Sequence, residues 1–326
     1  MYGVATTPDV PVRVVTEARL IEELNAESDA ELNEDDTAGL PHIERTLADL
    51  LLLQAGDLTE GGGSTAQIVA NIDGIYQDAQ RGIALVDRGV PQNDAEADAL
   101  LLHEFVHAIQ DAEYGLSAWR EQYSTSIDSS LALRTVTEGQ ATYAQFRSLL
   151  AMTGRDVDRI DWERTLSSFR DQLVSQAFAD PSPYFASITT FPYAYGAASA
   201  YRAWSDHSAQ SDAPPLSALE VLSLDAGVAF TAPETLSLEA PAPDADYDLV
   251  DGDNLGAFQL ALSAHKLGAD TDTALDLALA WRGDALWIYA GPNDQTVWLW
   301  MLELDDAQHA NDLMTFAQSS QRIEAA

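Results

Sequence analysis

His103-Glu104-Phe105-Val106-His107 is the stretch from which the rest of the chain is read. On a helix, residues four apart share a face, so both imidazoles can reach one ion held against that face while Glu104 projects beside it. The neighbours supply the helix. Leu100, Leu101, Leu102, Phe105, Val106 and Ile109 form an apolar-periodic run, and residues 94–113 are expected to be helical. Nothing in the packing of such a run calls for two histidines and a glutamate, and the whole chain holds only 6 histidines.

A catalytic metal site needs a third protein ligand and one open position. The chain has no cysteine, which removes thiolate ligands, disulfides and a cysteine nucleophile, so any metal is held by histidine and carboxylate. His207, His265 and His309 do not follow His107 at a short spacing. Glu138 lies on a second expected helix, residues 129–152, which can pack antiparallel on the first and complete a His₂Glu set. Gly139 and Ala141 leave room for the close helix approach that a shared ion demands. The expected cofactor is one Zn²⁺, although nickel, cobalt or copper suits the same donors. Glu104 is then free to act as general base toward water acidified by the metal.

With His103-Glu104-x-x-His107 and Thr137-Glu138-Gly139-x-Ala141, the chain resembles the gluzincin branch of zincin-like metallopeptidases. Further stretches are Gly74-Ile75-Tyr76, HEFVHAIQD at 103–111, Phe191-Pro192-Tyr193 with Gly196, and Trp281-Arg282-Gly283-Asp284. Through these it resembles, over most of residues 70–320, a poorly characterised group of prokaryotic metallopeptidases that includes haloarchaeal surface proteins. The resemblance implies a zincin-like core and hydrolysis of a peptide or protein substrate. Many gluzincins carry an aspartate four residues after the glutamate ligand to orient a zinc histidine. Thr142 stands there, so Asp111, one turn beyond His107, is the expected substitute. Tyr193 and Tyr195, in a stretch punctuated by Pro192 and Gly196, are the expected donors to an oxyanion, with Tyr143 as a third choice.

Composition narrows the partners. With 53 acidic residues against 16 basic ones, the formal charge of −37 opposes nucleic acid and anionic membrane surfaces. Such a surface repels itself unless salt screens it, and Lys266 is the only lysine, a bias that resembles proteins of salt-in halophiles. An ordinary acidic secreted protein is the alternative. The longest apolar run near the N-terminus, residues 50–53, is too short for a transmembrane segment. An extracellular or cell-surface location is expected, after loss of a leader, with a cytoplasmic one as the alternative.

The expected fold is α+β and mainly helical, a zincin-like metallopeptidase core with a small C-terminal α/β unit. Residues 1–231 form the metal-binding domain, 232–253 an acidic Pro/Ala-rich loop or linker, and 254–326 a subdomain packed on the core. Within the first part we expect a strand at 10–15, a helix capped by Thr16 and another opened by Pro41. A flexible break at 61–64 and a hairpin of 73–76 with 82–86 follow, then a helix at 162–178 and a turn at 191–196 leading into a helix. A strand edge beside the metal helix can bind an extended peptide. The last part reads as a helix at 254–268, strands at 285–290 and 295–304 around a turn, and a closing helix. Function reads as a zinc-dependent peptidase. The alternatives are a cell-surface binding or structural protein with a structural zinc, and an intracellular enzyme using zinc for another hydrolysis.

Overall fold

Residues 82–86, Gly-Ile-Ala-Leu-Val, are apolar on both faces and form the central strand of a small sheet. The computed structural model describes residues 9–31, 40–54, 63–70, 72–89, 93–205, 214–215, 217–233 and 246–319. In it, β1 (Val12–Val15) runs parallel to β3 (Gly82–Val86), and β2 (Gly74–Gln77) pairs antiparallel along the other side with Tyr76 opposite Ile83. The order β1-β3-β2 leaves β2 as an edge. Helix α1 (Glu17–Glu31) follows Thr16, and α2 (Leu40–Asp49) contains Pro41 near its start. Helix α3 (Gly63–Ala70) begins where a flexible break was expected; Gly61 and Gly62 lie outside the described residues. Leu20 of α1 and Val69 of α3 pack against Ala84 and Val86.

Helix α4 (Asp94–Tyr114) carries the two metal-motif histidines. Asn93 accepts the Ala95 N–H at its start, and Gly115 in the left-handed region (φ 69°) ends it. The short α5 (Leu116–Tyr123) turns the chain into α6 (Ile127–Met152), which carries Glu138 and opens on a reciprocal Ser126/Ser129 cap. After α7 (Trp162–Ala179) comes α8 (Pro183–Ser205), and here the expected turn at 191–196 is corrected: α8 runs through it with Pro192 inside. Proline in a helix interior costs about 3 kcal/mol. Phe191 and Tyr195 are both buried in the main core, at about 1.5–3 kcal/mol each, and so offset that cost.

Helix α9 (Ala218–Ala226) precedes β4 (Asp248–Asp253), α10 (Gly256–Lys266) and α11 (Thr271–Ala280); sequence reading anticipated only α10, and β4 corrects the end of the expected loop or linker, where the chain pairs with a neighbouring strand instead. Then β5 (Trp281–Gly291), longer than expected, and β6 (Gln295–Leu304) complete an antiparallel sheet β4-β5-β6, and α12 (Ala307–Ser319) follows. The fold is α+β and mainly helical. Of the expected linker, residues 234–245 lie outside the described residues. One apolar cluster draws on both sides of it, with Leu131, Phe178 and Phe191 from before and Phe258, Leu262 and Leu286 from after. Among the described residues, no helix is long and apolar enough to cross a membrane.

Three aspartates, Asp128 and Asp284 buried and Asp253 half-buried, lock these parts together. Asp128 accepts the Ala218 N–H (3.1 Å), Asp253 accepts the Ile127 N–H (3.1 Å), and Asp284 accepts Leu255 N–H (2.9 Å) and Trp300 Nε1–H (2.7 Å). Burial pushes Asp128 up to about 7 and Asp253 and Asp284 to about 6, helped at Asp128 and Asp253 by neighbouring carboxylates. The folded state therefore holds protons that the unfolded chain releases near pH 4, and the stability from these groups is lost as pH rises through 6–7. We expect Asp128→Asn, which keeps the acceptor without the charge, to be more stable than wild type at pH 8 by on the order of a few kcal/mol. The gap should shrink as pH falls from 8 and close near pH 4, where the unfolded chain is protonated too. Melting both proteins across that range in molar salt is the check, and a gap independent of pH would contradict it.

Candidate metal centre

The sequence places His103 and His107 on one face of α4 and Glu138 on α6, and helix packing does the rest. Gln145 lies opposite His103, whereas Thr137 and Gln140 lie opposite Gln110, so the two helices run antiparallel. Val106 packs on Ala141 and Ala144 between them. His103 Nε2 is 3.3 Å from Glu138 Oε2, His107 Nε2 is 3.4 Å from the same oxygen, and the two Nε2 atoms are 3.2 Å apart. Bonds of about 2.0–2.1 Å at tetrahedral angles put ligand atoms about 3.3–3.4 Å apart, so this triangle fits a zinc-sized ion. A second group that can hold a cation, Asp305, Asp306 and His309, is largely exposed on α12 and the turn before it.

The imidazoles are turned by two glutamines that sequence reading missed. Gln110 Nε2 donates to the Thr137 carbonyl (3.0 Å) and to Gln140 Oε1 (2.8 Å), which leaves its Oε1 to accept from His107 Nδ1 at 2.8 Å. His107 Nδ1 must then carry hydrogen, and Nε2 points at the ligand triangle. Gln145 Oε1 stands 3.2 Å from His103 Nδ1. The signal available in sequence was position: Gln110 follows His107 by about one turn, and Gln145 lies two turns beyond Glu138 on the same helix. Replacing Gln110 with methionine, similar in shape but no acceptor for Nδ1, should weaken zinc binding about 10- to 100-fold in competition with a chromophoric chelator. Unchanged affinity would show that the contact does not orient the ring.

The electrostatics are those of a buried acid–base cluster. Burial alone would raise the Glu138 pKa, but the imidazoles beside it hold it well below the ordinary carboxylate range. Burial likewise disfavours charge on His107, yet the Glu138 carboxylate outweighs that and lifts it to about 9, so a metal ion must displace a proton there. Glu104 is shifted upward, first by burial and further by Glu138, and a backbone hydrogen bond from Tyr76 anchors it to β2. Gly74 gives Glu104 its space, because a Cβ there would sit 3.3 Å from Glu104 Cγ. These groups line a cleft of about 260 Å³ with Ile75, Trp119, Arg134 and Tyr193.

The expected tyrosines part company. Tyr193 lines the cleft and stacks on His103 (centroids 6.1 Å apart), and burial plus the Glu138 carboxylate hold its phenol well above the usual value, so it stays a proton donor. Tyr195 packs instead on Phe191 and Phe258 in the core. Because residues 191–196 are helical, positions 193 and 195 point about 200° apart, and only one can face the cleft. Tyr143 lies in a separate aromatic cluster with Trp162 and Tyr201. Asp111 does not reach an imidazole: it accepts Tyr76 O–H (2.9 Å) and Leu116 N–H (3.0 Å), fixing β2 and the α4–α5 corner. Thr142 is buried, and among the described residues its Oγ1 has no hydrogen-bond partner. Ala141 does face α4, but Gly139 faces α8, where it meets the backbone of Gly196.

No family model matches the chain, and no curated protein or solved structure does so either.

Proposed function

We propose that the chain is a zinc-dependent peptidase with a zincin-like core, in which His103, His107 and Glu138 hold the ion and Glu104 is the general base. The observation that carries this reading is the convergence of His103 Nε2, His107 Nε2 and Glu138 Oε2 to within 3.2–3.4 Å of one another on the wall of a cleft that Glu104 also lines. Among the described residues the donor group numbers three, which suits a site that keeps a position open for substrate rather than a closed fold staple.

When bound, zinc supplies Lewis acidity toward the scissile carbonyl and lowers the pKa of coordinated water toward neutral. Glu104, raised by burial, takes the proton of the attacking water and returns it to the leaving amine. Tyr193 donates its phenolic hydrogen to the developing oxyanion. Edge strand β2 positions the substrate. The Asp73 carbonyl accepts the Val86 N–H, so alternate residues face β3, while the Tyr76 N–H turns outward to Glu104 and the backbone of Gly74 lies along the same rim of the cleft. An extended peptide laid beside β2 passes the metal site.

The test is zinc content together with cleavage of an unfolded-protein mixture in molar salt, on wild type and Glu104→Gln. About one zinc per chain in both, with cleavage by wild type alone, is the expected result. Zinc in both and cleavage by neither makes the ion structural, and no zinc in either overturns the assignment.

A further inference from the structure

Arg134 is one helical turn before Glu138 on α6 and lines the metal-site cleft. It also lines the adjoining pocket of about 360 Å³, whose walls include Ser126, Ser130, Tyr184 and Asp253. Among the described residues, the other half-buried arginines (Arg13, Arg88, Arg147, Arg170, Arg202 and Arg282) each pair with a carboxylate. Arg134 is half-buried, and its guanidinium has neither a carboxylate within 4.0 Å nor a hydrogen bond among those residues. In a chain with 53 acidic and 16 basic residues, that is the opposite of what charge balance favours. Arg120, the other arginine of the cleft, is neutralised by Asp78.

We propose that Arg134 recognises a carboxylate of the substrate, the terminal one or that of an acidic side chain, next to the bond presented to the metal. The inference rests on the peptidase reading for the role of that bond. A guanidinium offers two parallel N–H donors that match a carboxylate, and partial burial strengthens the pair. The overall charge repels acidic ligands, so a local cation facing the cleft is what would admit one. One turn of helix is about 5–6 Å, which sets the carboxylate one or two residues from the metal-site carbonyl.

Zinc-loaded protein is titrated calorimetrically with N-acetyl-trialanine, its C-terminal amide, and N-acetyl-Ala-Glu-Ala amide, using wild type, Arg134→Gln and Arg134→Lys. The expected result is that wild type binds one of the two acidic peptides at least about 10-fold tighter than the neutral amide. Arg134→Gln should lose that preference with zinc content and melting temperature unchanged, and Arg134→Lys should keep part of it. Which acidic peptide is preferred identifies the carboxylate. Equal binding of all three peptides, absence of binding, or a preference that survives Arg134→Gln, as when the carboxylate sits on the metal, overturns the inference. Cleavage without an acid preference leaves the peptidase reading standing and removes this one. An Arg134-dependent preference without cleavage does the reverse.

Discussion

Glu104→Gln is expected to retain about one zinc per chain and to lose turnover by at least about 10³-fold, within the 10²–10⁴-fold range of a positioned acid–base group. The upper part of that range applies because the same carboxyl handles both proton transfers. Glutamine keeps the shape that Gly74 and β2 accommodate and can still accept the Tyr76 backbone hydrogen bond, so fold and ligands are undisturbed. It cannot accept a proton near neutral pH. Initial rates on an unfolded substrate, zinc by elemental analysis and a melting curve separate the outcomes. Loss of zinc or of melting temperature would mean that Glu104 is structural, and retained turnover would mean that another group is the base.

The second large effect lies away from the metal ligands, where α6 crosses α8. A Cβ built on Gly139 lies 2.3 Å from the carbonyl carbon and oxygen of Gly196, and one built on Gly196 lies 2.3 Å from the Thr135 carbonyl oxygen. Backbone cannot rotate away as a side chain can, so Gly139→Ala or Gly196→Ala must push the helices apart. Overpacking costs about 1–3 kcal/mol and sometimes more, and rigid partners put this case at about 3 kcal/mol or above. Because Glu138 precedes Gly139 and Tyr193 shares α8 with Gly196, the displacement moves the proposed carboxylate ligand and the phenol together. We expect a melting temperature lower by roughly 5 °C or more and a weakened zinc affinity. Ala141→Gly, on the α4 side of the same helix, removes volume and should not reproduce the metal loss. A Gly139→Ala protein that melts and binds zinc like wild type would refute the crossing.

Much of the helical framework was legible because its signals are local. The apolar run of Leu100, Leu101, Leu102, Phe105, Val106 and Ile109 marks α4, and the His-x-x-x-His spacing needs only a 3.6-residue period to face one ion, while the caps at Asn93, Gly115 and Ser126 emerged only in the structure. The misreadings are equally physical. Pro192 and Gly196 look like a turn, because local sequence does not show that Phe191 and Tyr195 will be buried deeply enough to carry the helix through. Helix α11 buries Ala274, Leu277 and Ala278 on one face and exposes Asp272 and Asp276, but Leu275 and Leu279, apolar and only partly covered, blur that period in the sequence. Asp111 was the natural guess for a histidine partner because carboxylates usually do that work, but Tyr76 and Leu116 claim it first.

By itself the sequence determined the donor chemistry: no thiolate, two imidazoles one turn apart with a carboxylate between them, and a glutamate on a second helix, within a strongly acidic chain. Tertiary structure alone decided which neighbours complete the site. Gln110 and Gln145 turn the imidazoles, Tyr193 rather than Tyr195 enters the cleft, and Arg134 lines it with no carboxylate or hydrogen-bond partner among the described residues. The reason is range. Ligand spacing within one helix is fixed by its own period, whereas the orientation of a ring, the face a tyrosine presents and the freedom of a charge depend on contacts between helices far apart in the chain.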